Sequence, residues 1–347
     1  LSKLNSTLKT YFEKYHICYA VKANSNPHLL KIMRSTLPNI GGDCSSPGEI
    51  YAAQRSGIKL RNCIYTGNYE SISDLSFALK QKCYINLDDV TSFNRLLQVG
   101  LPEHISFRLN PGFGKGTFSQ ITTAGENAKF GIPAEKIVSA YRNAQDAGVI
   151  RFGLQCMAGS GNLDENYFIE LLTAITHYTN QIESELNIQF EFISMGGGLG
   201  IPYHDEEISL NYDRLFSRLS QVLYKAYPEK AKAPALWLEP GKSIIGDASK
   251  ISHFSYIGDS ILGKNVNIGA GTVTCNYDGV DKHETHIGSG VFIGTNATLV
   301  APLLVEDDAY IGAGSTITAK VEKEDLAVGR GKQRNIKGWT PPSKRKR

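Results

Sequence analysis

The sequence predicts an α/β chain in which a closed (β/α)8 barrel is followed by a parallel β-helix of hexapeptide repeats. Eight short β-type runs alternate with amphipathic segments over about the first 240 residues, and alternating βα units imply a parallel sheet covered by helices. From about residue 251 a branched aliphatic residue recurs every six positions. The two patterns meet near residue 245, so the expected domains are 1–247 and 248–347. A length of 347 residues agrees with two domains at about 150 residues each.

In chain order, the predicted strands are 17–21, 40–44, 63–66, 84–87, 105–109, 152–156, 190–195 and 235–238. Predicted helices between them include 47–56, 71–80, 133–147 and 165–186. An open doubly wound sheet is the alternative, and the count of eight favours the barrel. In the second domain, Ile287, Ile293, Leu299, Val305, Ile311 and Ile317 lie six apart, and Gly follows Ile287, Ile293 and Ile311. Ile257-Gly258, Leu262-Gly263 and Ile268-Gly269 extend the pattern upstream. A period of six is neither 2 nor 3.6, so it specifies stacked coils with an aliphatic residue turned inward at each corner. The polar stretch 274–286 interrupts the repeat and is predicted to project as a loop. The stretch 320–339 is the expected terminal cap of the solenoid.

Composition excludes several classes. Apolar residues are 41% and charged residues 20%, which is ordinary for a folded soluble domain and not for a disordered chain. No apolar run approaches the ~20 residues of a membrane span, and no secretory segment opens the chain. A cytoplasmic protein without a membrane partner is therefore expected. The net charge is +3, and residues 344–347 alone supply four positives, leaving the body near −1. A global nucleic-acid field is not indicated, and the tail reads as solvated. The six cysteines form no CxxC pair, so they are expected to be reduced and mostly buried, with no metal site.

Five runs in the first domain bear chemistry. Tyr19-Ala20-Val21-Lys22-Ala23-Asn24 ends the first predicted strand. A lysine there lies on the face where barrel enzymes place their chemistry, and a desolvated amine can condense with a carbonyl. Ser194-Met195-Gly196-Gly197-Gly198 follows the seventh strand, and consecutive glycines let backbone N–H groups close on a phosphate. Leu238-Glu239-Pro240-Gly241-Lys242-Ser243 ends the eighth strand. Asp43-Cys44-Ser45-Ser46-Pro47-Gly48-Glu49 ends the second, and Arg108-Leu109-Asn110-Pro111-Gly112 the fifth.

Over residues 1–247 these runs resemble the alanine racemase-like barrel of the diaminopimelate/ornithine decarboxylase family, a fold-type III group dependent on pyridoxal phosphate (PLP). The resemblance implies that Lys22 holds PLP covalently. It implies that Gly196, Gly197, Gly198, Gly241 and Ser160 hold the phosphate, that Glu239 meets the pyridine nitrogen, and that Asp43, Glu49 and Arg108 support the pocket. Two positions depart from the family pattern: Met157 stands where a ring-stacking His is usual, and Lys242 where an Arg is usual. The family's β-domain, with its Cys-Asp pair and Tyr, has no counterpart in 1–247.

Residues 251–347 resemble the acetyltransferase domain of the bifunctional N-acetylglucosamine-1-phosphate uridyltransferase/glucosamine-1-phosphate acetyltransferase family, a left-handed β-helix. The runs that carry this are His253-Phe254-Ser255-Tyr256-Ile257-Gly258-Asp259 and Asn265 through Gly279, with Lys282. By that resemblance His253 is the catalytic base, and an imidazole titrates in the range that amine attack on a thioester needs. Tyr256, Asn267 and Lys282 would hold the sugar phosphate. Ala270, Asn276, Tyr277, Thr295, Ala313 and Arg330 would line the acetyl-CoA site. The family implies a homotrimer joined through the β-helix.

The expected function is therefore acetyl-CoA-dependent N-acetylation of glucosamine-1-phosphate, a step in cell-envelope precursor synthesis, by a domain fused to a PLP-binding barrel. The expected partners are small molecules, an amino-sugar phosphate and a basic amino acid. The alternatives are a PLP-dependent amino acid decarboxylase of the diaminopimelate/ornithine type and a non-catalytic fusion of two remnants.

Overall fold

A computed structural model describes residues 1–68, 70–112, 130–157, 159–202, 206–241, 243, 250–251 and 255–331. His253, Lys242 and the predicted cap beyond 331 lie outside these residues. The chain divides into two compact units, Leu1–Asp247 and Ala248–Arg347.

The first unit opens with α1 (Ser2–Tyr11), followed by β1 (Tyr15–Ala20), β2 (Gly41–Cys44), β3 (Ile64–Tyr65), β4 (Tyr84–Leu87) and β5 (His104–Asn110). Then come the short β6 (Ile132–Pro133), β7 (Arg151–Cys156), β8 (Phe190–Ser194) and β9 (Ala235–Leu238). Parallel pairing runs β1-β2-β3-β4-β5-β7-β8-β9, and β9 returns to β1, which closes the eight-stranded ring. Each predicted strand overlaps one member of the ring. The two-residue β6 was not foreseen; it pairs with the end of β5, through Leu109 and Ile132.

Local sequence sets the helix boundaries. α2 (Pro47–Arg55) begins with Pro at its first position, and the Ser46 side chain accepts from Glu49 N–H. α3 (Ile72–Lys80) starts with a reciprocal capping box between Ser71 and Asp74. α4 (Glu165–Leu186) has the predicted bounds and ends at Asn187 with φ +52°, a left-handed cap that Asn tolerates. Rings fill the floor of the barrel: Phe192 stacks on Trp237 at 4.0 Å and Tyr84 on His104 at 3.9 Å. Gly153 makes this possible, since a Cβ there would stand 2.2 Å from the Phe192 ring.

The second unit is a β-helix of three short parallel sheets. One runs β10 (Lys250–Ile251), β12 (Asn267–Ile268), β15 (Phe292–Ile293), β18 (Tyr310–Ile311) and β20 (Leu326–Ala327). The second is β11 (Ser260–Leu262), β14 (Thr285–Ile287) and β17 (Leu303–Val305), and the third β13 (Val273–Cys275), β16 (Thr298–Val300) and β19 (Thr316–Ile317). Thr298 pairs with Thr316, so one coil takes 18 residues, or three hexapeptides. The six-spaced residues from Ile287 to Ile317 are all buried. The predicted loop is shorter than 274–286, because the flanking strands keep 274–275 and 285–286 in the coil. The projecting part begins at Asn276 and is closed by an antiparallel bridge between Tyr277 and Lys282. Among the described residues no helix is long and apolar enough to cross a membrane. All six cysteines are free, and five are buried.

Candidate functional site

In the first unit, the C-terminal ends of the barrel strands gather the predicted residues. Lys22 lies just past β1, as the predicted strand 17–21 places it, in a 3-10 turn, Val21–Ala23, that also takes Val21 from the predicted strand. The turn lifts its amine to Asp43 on β2, with Nζ 3.3 Å from Oδ2. Asp43 is 3% exposed, and its Oδ1 is buried without a hydrogen-bond partner among the described residues. The Asp43 carboxylate raises the Lys22 ammonium above its usual range, burial opposes this, and Glu239 adds to the rise.

Glu239 follows β9 and is 4% exposed. Its Oε1 accepts from Ser194 Oγ at 2.6 Å and its Oε2 from Gln155 Nε2 at 2.9 Å. Burial, then the Asp43 charge, pushes its carboxyl up to about 7. Register explains the meeting: Arg108, Gln155 and Ser194 sit side by side across β5, β7 and β8. Ser194 pairs in turn with Trp237, two residues before Glu239.

The glycine run folds onto this group. Gly196 has φ +66°, and a Cβ there would stand 2.6 Å from Cys156 O. A Cβ on Gly197 would stand 2.7 Å from Glu239 O, and one on Gly198 2.7 Å from Gly159 O. Gly196 N–H donates to Ser194 Oγ, and Glu239 N–H to Gly196 O at 2.8 Å. Gly241 packs beside the lysine turn, a Cβ there lying 3.1 Å from Ala23 Cβ. Met157 reaches the loop as a sulfur acceptor, taking Gly197 N–H at 3.2 Å.

Arg108 is buried and committed: Nη1 donates to Asp88 Oδ1 at 3.1 Å, Nη2 to Met157 O at 3.3 Å, and its guanidinium lies over Phe130. Glu49 is held by Ser45 N–H at 2.8 Å, and burial raises its carboxyl. Ser160 is half-buried on the loop bridged to the glycine run through Asn162 and Leu199. These residues fit PLP on two counts. The orphaned Asp43 Oδ1 awaits a polar partner beside the lysine, and a glycine cradle without room for side chains adjoins a buried carboxylate.

In the second unit, Ala270, Thr295 and Ala313 stack at one corner. They lie two residues past the paired Ile268, Ile293 and Ile311. Gly269 and Gly294 let successive coils meet there, since a Cβ on Gly294 would stand 2.4 Å from Ala313 N. Arg330 Nη1 donates to Ala313 O at 2.8 Å. Asn276 and Lys282, assigned to different ligands, converge on the Oδ2 of Asp259: Asn276 Nδ2 donates to it, and Lys282 Nζ is 3.7 Å away. Tyr256 and Tyr277 are both exposed, and Asn267 lies on β12 paired with Phe292.

Sequence reasoning missed Ser194, Gln155, Asp88 and Asp259. Ser194 and Asp259 lay inside the quoted runs, and counting alternate positions from Glu239 and the glycine run would have put Ser194 on the inner face. For Gln155 the only signal was a polar residue in an apolar strand.

Comparison with known proteins separates the chain at the same place. Residues 1–246 match the family of the pyridoxal-dependent decarboxylase pyridoxal-binding domain, and residues 284–319 match the bacterial transferase hexapeptide of six repeats. The diaminopimelate decarboxylase of Thermoplasma acidophilum is 35% identical over 274 residues, covering 77% of this chain and 66% of that protein. The bifunctional protein GlmU of Marinobacter nauticus is 60% identical over 108 residues, covering 31% of this chain and 24% of that protein. Diaminopimelate decarboxylase from Helicobacter pylori, solved with L-lysine, superposes with a TM-score of 0.62 at 26% identity, covering 70% of this chain and 61% of that one. The chain thus spans about two thirds of one kind of relative and a quarter of the other.

Proposed function

The chain belongs to the pyridoxal-dependent decarboxylase family through its barrel, residues 1–246, and from that premise we propose that Lys22 carries PLP for chemistry on an amino acid. The observation that supports this best is the Lys22–Asp43 pair set beside the buried Glu239. PLP, when bound, supplies an electron sink for a carbanion. The chain's residues bind and orient it. The glycine run, Ser160 and Gly241 take the phosphate, Glu239 faces the ring nitrogen, Asp43 keeps the lysine amine in place, and Arg108 braces the Met157 segment. Likeness to two diaminopimelate decarboxylases favours decarboxylation of an amino acid bearing a second amine. Borohydride reduction followed by peptide mapping tests the seat: the pyridoxyl group is expected on Lys22, and its appearance elsewhere or nowhere overturns the assignment.

A second activity is supported by the stacked corner of Ala270, Thr295 and Ala313 with Arg330. The β-helix unit transfers acetyl from acetyl-CoA to glucosamine-1-phosphate, with His253 as general base, as a homotrimer. His253→Ala should lower turnover about 10²-fold or more while acetyl-CoA affinity holds, because a general base acts in the transition state. Equal rates in parent and variant would remove His253 from the reaction. Sedimentation as a monomer would remove the trimer.

A further inference from the structure

We propose that Ser194 and Gln155 are positioning residues for the cofactor's ring nitrogen: by donating one hydrogen bond to each oxygen of Glu239 they hold it as a carboxylate, so that the proton it shares with the ring stays on the pyridine nitrogen. This rests on the reading of Lys22 as the seat of PLP.

Left to burial alone, Glu239 would favour the neutral acid. It is enclosed, and the Asp43 charge lies nearby, so the pocket pushes its carboxyl up to about 7. The other titratable groups facing it are Lys22 and the buried thiols of Cys18 and Cys156. A neutral acid cannot balance a protonated pyridine. Hydrogen bonds to the ionised form work against burial, and both oxygens of Glu239 receive one from an uncharged donor, at 2.6 and 2.9 Å. Neither donor brings a charge that would compete with the ring.

The direction of each bond follows from its surroundings. Ser194 Oγ already accepts Gly196 N–H, which directs its own proton toward Glu239. Gly196 O in turn accepts Glu239 N–H, so Ser194 also couples the carboxylate to the first turn of the glycine run. Gln155 presents its Nε2 to Glu239 and leaves its Oε1 buried without a partner among the described residues. A carbonyl turned toward a carboxylate would be repelled, so the orphaned oxygen is the consequence of keeping the donor on Glu239. Gln155 and Ser194 are themselves fully enclosed, at 2% and 0% exposure, so water does not substitute for either.

The test is the 15N resonance of PLP labelled at the ring nitrogen, recorded on the full chain loaded with cofactor. In the parent it should lie in the pyridinium range. Ser194→Ala and Gln155→Met should each move it toward neutral pyridine, the double variant furthest, with PLP retention weakened roughly ten-fold per lost charged hydrogen bond. Ser194→Thr, which keeps the hydroxyl, should restore the parent resonance. Borohydride should still fix the pyridoxyl group on Lys22 in every form. An unmoved resonance in all variants, or identical resonances for Ala and Thr, overturns the positioning role while the PLP site stands. A parent chain that takes no pyridoxyl group on Lys22 overturns both.

Discussion

Lys22 Nζ stands 3.3 Å from Asp43 Oδ2, and the second oxygen of that carboxylate is enclosed without a hydrogen-bond partner among the described residues. A charge placed so close stabilises the ammonium, whereas attachment to an aldehyde needs the free amine. Asp43 thus holds the lysine in position and sets the pH at which it reacts.

Asp43→Asn should therefore lower the pH midpoint for PLP attachment. Removing that charge takes away the largest influence that holds the amine protonated, although solvent screens part of the pair. The midpoint is read from the visible absorption of bound PLP against pH. A midpoint that stays put or rises would show that Asp43 is not the controlling charge.

Glu239 gives the cofactor-free protein an unusual pH dependence. Its folded carboxyl titrates at about 7 against the ordinary glutamate value of 4.5, so folding takes up a proton between these pH values. Stability should fall as pH rises through that window and level off above it. The loss is on the order of 3 kcal/mol at most, from about 1.4 kcal/mol per unit. Glu239→Gln should flatten the profile from pH 5 to 8 in denaturant titrations. A parent profile already flat would show that Glu239 is ionised throughout.

The barrel and the coils were legible because each advertises a period: βα alternation in one and a six-residue aliphatic spacing in the other. Lys22, Glu239 and the Gly196–Gly198 run stood out because special backbone or buried charge at strand ends has few other uses. Gln155 and Ser194 were hidden, since neutral polar residues in a strand announce nothing until register aligns them with Glu239. Val21 was placed one element early, because an apolar β-branched residue reads as strand although it opens the 3-10 turn that carries Lys22. The loop was drawn too long because Thr274 and His286 are polar but still belong to strands.

Gly294→Ala should disturb the second unit at its corner. The new methyl would meet the backbone nitrogen of Ala313 at 2.4 Å, and backbone cannot swing away as a side chain does. Overpacking of this kind costs about 1–3 kcal/mol. The β-helix transition should drop in melting temperature, and acetyl-CoA affinity should fall with it because Thr295 and Ala313 flank the strained contact. An unchanged melt would mean that the coils separate more freely than their hydrogen bonds imply.

Lys282 was assigned to the sugar phosphate and Asn276 to acetyl-CoA, yet both reach the single oxygen Oδ2 of Asp259. Asp259 O also accepts Thr285 N–H, so this one residue holds the start, the return and the exit of the projecting loop. Lys282→Ala should raise KM for the sugar phosphate alone, by roughly ten-fold for one lost charge-assisted contact. Asp259→Ala should raise KM for both substrates, because it releases Asn276 and Lys282 together. Asp259→Asn should fall between, since the amide can still accept from Asn276 but no longer pairs with the Lys282 ammonium. Steady-state kinetics with each substrate varied in turn distinguishes these outcomes. If Asp259→Ala affects one KM only, the loop is anchored elsewhere and the two contacts on Asp259 are independent.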